Sequence, residues 1–108
     1  MKEFIKAELT GEPLFEPGTV SVTGGYLAAV GHDDIATTIM VNCLQRHIVG
    51  DFGEVCAEDA ASNRAAIKAK FGTILSVYMI NTARGQVKVY LITDADQANT
   101  TLLLPEEY

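Results

Sequence analysis

The chain has 108 residues, 48% hydrophobic and 20% charged, with a formal net charge of −6. That is an ordinary size for one domain and enough to bury roughly two-thirds of the unfolded surface, which argues against disorder and against a need for disulfide or metal staples. The charge disfavours RNA or DNA as a general partner, because phosphate-backbone binding draws on dense Lys and Arg, and no apolar run reaches the ~20 residues of a membrane span.

In chain order, the first stretch, MKEFIKAELTGE, is charged throughout and lacks the apolar core of a secretion signal, so a cytoplasmic protein with no membrane association is expected. Residues 1–17 carry little pattern, and Pro13 and Pro17 interrupt any long element there. "TVSVT" (19–23) alternates Val20 and Val22 with polar neighbours and predicts a short strand. Thr23 can cap a helical turn through Tyr26–Val30, closed by Gly31. Asp33 or Asp34 suits the N-cap of a helix over 34–48, and Gly50 ends it. A second helix starts near Ala57–Asp59 and runs to about Lys70. Glu58 and Asp59 suit its first turn, Lys68 and Lys70 its last, and Gly72 should stop it.

"TILSVYMI" (73–80), "QVKVYLIT" (86–93) and "NTTLLLP" (99–105) then read as strands, the first two joined by the five-residue link "NTARG". The expected fold is α+β and covers residues 1–108 as one domain. Two main helices pack on a three- to four-stranded antiparallel sheet that ends in a meander, and the edge occupied by 19–23 is open.

The stretch "QRHIVGDFGEVCAEDAASN" (45–63) concentrates polar side chains between the two helices. His47 follows Leu44, Cys43 and Met40 by three, four and seven residues, which puts it on the apolar face of its helix. Asn63 follows Ala60 by three and precedes Ile67 and Phe71 by four and eight, so it too should face inward. Ser76 and Tyr78 share one strand face. A buried polar group without a partner costs ~1–3 kcal/mol. The economical expectation is that His47 and Asn63 converge, with Asp51 or Glu58 within reach. The bland reading of each is a helix-end charge, a packing hydrogen bond, a turn residue and a core tyrosine.

Elsewhere the sequence excludes more than it suggests. Cys43 and Cys56 form no CxxC, and His32 and His47 lack a third ligand at metal-site spacing, so free thiols and no metal or other cofactor are expected. "GTVSVTGG" lacks the Lys-Ser/Thr of a phosphate loop. "TDADQANTT" lacks the Gly and Glu of a calcium loop and should be a tight connection between strands.

Taken together, "QRHIVGDFGEV", "EDAASN", "ILSVYMI", "VYLITDAD" and "TTLLLPEEY" resemble a family of small bacterial proteins carried on plasmids, phages and related mobile elements. The resemblance covers about residues 45–108. It singles out Arg46, His47, Gly50, Asp51, Gly53, Glu58, Asp59, Asn63, Ser76, Tyr78, Thr93, Asp94, Asp96, Thr100 and Thr101. Phe52 stands where the family usually has Trp, and "ADQAN" lacks the Arg-Ser expected after the Asp. The resemblance implies an accessory protein of a mobile element. On that reading it is a binding domain whose polar network around His47, Asp51 and Asn63 docks helices on the sheet, with a protein partner or a second copy of itself. The alternative is a metal-independent ribonuclease, suggested by a fold-level likeness to compact barnase- and colicin-like enzymes. His47 with Asp51 or Glu58 would be its acid and base and Asn63 would help orient the substrate. Arg46, Lys88, Ser76, Tyr78, Thr93 and Thr100 would bind it.

Overall fold

A computed structural model describes residues 12–31 and 34–108. The elements are β1 (Thr19–Val22), α1 (Gly24–Val30), α2 (Asp34–Ile48), α3 (Ala57–Ala69), β2 (Ile74–Thr82), β3 (Gly85–Thr93) and β4 (Asn99–Leu103). A 3₁₀ turn over Pro105–Glu107 follows. The fold is α+β. The four strands form one sheet in the order β1-β4-β3-β2.

The β2–β3 and β3–β4 pairs are antiparallel, as a meander requires, but β1 runs parallel to β4, with Thr19 opposite Asn99 and Val22 opposite Leu102. The sheet is therefore mixed, not purely antiparallel. Three helices and some fifty residues separate β1 from the meander, so no hairpin constrains its direction.

Alternation decides which side chains meet the helices. Ile74, Ser76, Tyr78 and Ile80 of β2 share a face with Val89 and Leu91 of β3 and Leu102 of β4. That face packs on Tyr26 of α1 and Ala36 and Cys43 of α2, with Val22, Leu27, Ile39, Met40 and Leu44 alongside. A second cluster joins Phe15, Phe52, Ala66 of α3 and Ile74, with Ile48, Val55, Ala60 and Ile67 around it.

Several local expectations change. Asp33 lies outside the described residues. The β2–β3 connection is the two-residue turn Ala83–Arg84, because Thr82 and Gly85 still pair. Thr82 Oγ1 accepts from Arg84 N at 3.1 Å and donates to the Gly85 carbonyl at 2.7 Å, which holds that turn closed. Helix α3 runs to Ala69, close to the expected end, but Lys70 and not Gly72 stops it: Lys70 adopts φ +60° and its N–H reaches the carbonyls of Ala66 and Ile67. Phe71 is then beyond the helical period, and it lies 65% exposed instead of continuing the Asn63 stripe. The cap of α3 is Cys56, whose Sγ accepts from Asp59 N at 3.5 Å. Cys43 and Cys56 are both free, the first buried and the second exposed.

Candidate functional site

Helix α2 delivers His47 into the interior by the way it stops. Gly50 N bonds to the His47 carbonyl at 3.2 Å and Asp51 N to the Arg46 carbonyl at 2.9 Å, closing the last turn over Gly50 at φ +92°. The imidazole then lies over the sheet. Its Nδ1 is 2.6 Å from Ser76 Oγ on β2, and its Nε2 is 2.9 Å from Thr93 Oγ1 on β3. Thr93 and Thr100 are cross-strand partners in the register, and their hydroxyls are 2.7 Å apart. Thr100 Oγ1 donates to the Pro17 carbonyl at 2.7 Å. The edge of the His47 ring meets the Phe15 ring at a centroid distance of 5.2 Å. His47, Ser76, Thr93 and Thr100 are all at 0% exposure.

The Pro17 carbonyl orients every proton in this chain. A carbonyl only accepts, and each hydroxyl has one hydrogen. Thr100 spends its hydrogen on Pro17, so it accepts from Thr93. Thr93 in turn accepts from His47 Nε2–H. Burial pushes the His47 pKa down to about 4, so the ring is neutral at pH 7 and Nδ1 is bare. Ser76 therefore donates to Nδ1. A hydroxyl donating to an imidazole is the pairing a nucleophile uses with its base. Here no part of either residue reaches the surface.

Asn63 does not partner His47. Its Nδ2 donates to the Leu75 carbonyl at 2.7 Å and its Oδ1 accepts from Leu75 N at 2.9 Å. Strand β2 is an edge strand, and the side chain stands in for one residue of a missing neighbour. The loop after α2 covers the next outward position: Phe52 O accepts from Val77 N at 3.0 Å, and Glu54 N donates to the Val77 carbonyl at 2.7 Å. Gly53 makes this approach possible, since a Cβ there would lie 2.0 Å from the Val77 carbonyl oxygen, at φ +70°.

Asp51 belongs to a third group. Arg46 Nε and Nη2 donate to its carboxylate at 2.8 and 3.3 Å, and Gly53 N donates at 3.2 Å. The Arg46 hydrogen bond holds the Asp51 carboxyl below its ordinary pKa. The Arg46 guanidinium lies 4.4 Å from the centroid of Tyr78, and the Tyr78 hydroxyl donates to the Asp51 carbonyl at 2.7 Å. Burial raises the pKa of Tyr78 and pushes the Cys43 thiol up to about 11, so neither is an anion at neutral pH.

The expected site residues thus divide into separate structures. His47, Ser76, Thr93 and Thr100 form one buried chain, Asn63 clamps the sheet edge, and Arg46, Asp51 and Tyr78 form a partly exposed set. Glu58 is exposed in the first turn of α3, and its side chain makes no hydrogen bond among the described residues. Lys88 pairs with Met79 in the register, on the sheet face away from His47. Phe15 and Pro17 were missed because nothing periodic marks their segment. The two prolines were its only signal, and they point to irregular backbone whose free carbonyls need donors.

Among the described residues, no three His, Cys, Asp or Glu side chains are grouped to hold a metal ion, and no helix is long and apolar enough to cross a membrane. Neither a family model, nor a curated protein, nor a solved structure matches the chain.

Proposed function

We propose that this protein is a binding domain and that the His47 chain is its internal framework. The observation that carries the reading is the burial of His47, with both ring nitrogens committed to hydroxyls from two strands. A general base must reach its substrate, and this imidazole faces only protein. The ribonuclease reading gains nothing from Asp51 or Glu58, since Asp51 is held by Arg46 and Glu58 stands apart on α3. The partner is a protein or a second copy of the chain, in keeping with the charge of −6. An accessory role on a mobile element rests on the motif resemblance.

The test is His47→Ala. The change empties part of the core and strands Ser76 and Thr93, so urea unfolding should show a loss of about 2–4 kcal/mol. RNA oligonucleotides at low salt should stay intact with either form. Cleavage by the wild type, lost in a variant of undiminished stability, would reverse the reading.

A further inference from the structure

A cavity of about 370 Å³ lies between the segment Leu14–Glu16, the C-terminal end of α3 at Ile67 and Lys70, and Gln97 of the β3–β4 turn. It lies within the size range of small-molecule sites. Two features meet there. Gln97 Nε2 is the one side-chain nitrogen or oxygen among the described residues that is buried without a hydrogen-bond partner. Lys70 and Gln97 are the only described non-glycine residues with positive φ, at +60° and +59°. Such strain gathers at ligand clamps when the surroundings enforce it. The surroundings do so here. Gly72 N bonds to the Ala95 carbonyl, Gln97 N to the Asp94 carbonyl, and Ala98 N to the Asp96 carboxylate, at 2.9, 2.7 and 3.0 Å.

The lining specifies a chemistry. Lys70 brings an ammonium and Gln97 an unused amide donor, both suited to a carboxylate. The terminal torsion of Gln is broad, so its NH₂ can turn from the wall toward the cavity. Glu16 would repel a simple carboxylate and matches an ammonium. Leu14, Phe15 and Ile67 give an apolar wall. We propose that this cavity binds a small zwitterion with an apolar body, of the class of the apolar amino acids. Lys70 and Gln97 hold its carboxylate, Glu16 its ammonium, and Phe15 and Ile67 its side chain.

The experiment is titration of the ¹⁵N-labelled full chain with L-leucine and L-phenylalanine, followed by amide shifts. The arms use 4-methylpentanoate, which lacks the ammonium, and the variant Gln97→Gly, which removes the amide and relieves the positive φ without loss of fold. Saturable shifts should centre on Gln97, Lys70 and Phe15, and Gln97→Gly should weaken binding about tenfold, as for one charge-assisted hydrogen bond. The carboxylate without its ammonium should bind more weakly to the wild type, with that gap closed in Glu16→Gln. No saturable shift up to about 10 mM amino acid overturns the proposal. So does saturable binding that Gln97→Gly leaves unchanged.

Discussion

Burial lowers the pKa of His47 from 6.5 to about 4, and this makes the ring a source of pH dependence in the fold. In the unfolded chain the same imidazole takes up a proton below about 6.5. Between the two values the unfolded state binds more protons, so stability is full above the higher one and falls as the pH drops toward the lower. The difference corresponds to roughly 3 kcal/mol. Urea midpoints at pH 7 and pH 4.5 should therefore fall further for the wild type than for His47→Gln. Equal losses in the two proteins would show that the ring titrates normally. The inward direction of His47 was legible from its spacing to Cys43 and Leu44, since helical geometry alone sets that face. Its partners were not, because Ser76 and Thr93 follow 29 and 46 residues later and only the packed sheet brings them to one ring.

Among the elements, the outer edge of β2 is the place where single residues hold two layers together. Asn63→Ala leaves the Leu75 N–H and carbonyl without partners and should cost about 1–3 kcal/mol. Amide exchange should quicken at Leu75 before it does at Ser76, which pairs inward with Leu91. Unchanged exchange at Leu75 would mean that the clamp does not hold the edge in solution. Gly53→Ala should cost roughly 2 kcal/mol or more by thermal unfolding, because it adds a Cβ against the Val77 carbonyl at a positive φ. Element types were readable from periodicity and β-branching, but their ends were less so. Lys70 ends α3 in a conformation that glycine would adopt more cheaply, and tertiary contacts around Gly72 and Ala95 overrule the local preference.

The whole molecule is joined across its length. Residue 19 pairs with residue 99, and Thr100 bonds to the Pro17 carbonyl, so the first described strand is locked only when the last is in place. A fold closed in this way should unfold as one unit. Far-UV circular dichroism and tyrosine fluorescence should give coincident urea transitions, with Tyr26 and Tyr78 reporting the core between helices and sheet. Separate transitions would show that the helical layer and the meander are independent.

The amino-acid sequence by itself determined the α+β class, the two long helices, the antiparallel meander and the inward aim of His47 and Asn63. These follow from periodicities of 3.6 and 2 and from residue propensities, which act over a few neighbours. The tertiary structure alone decided that β1 lies parallel beside β4, that Asn63 caps a strand edge, and that His47 ends a proton-ordered chain running to Pro17. Each of these is a pairing between residues far apart in the chain. Such pairings depend on which surfaces meet after collapse, and no local preference encodes that.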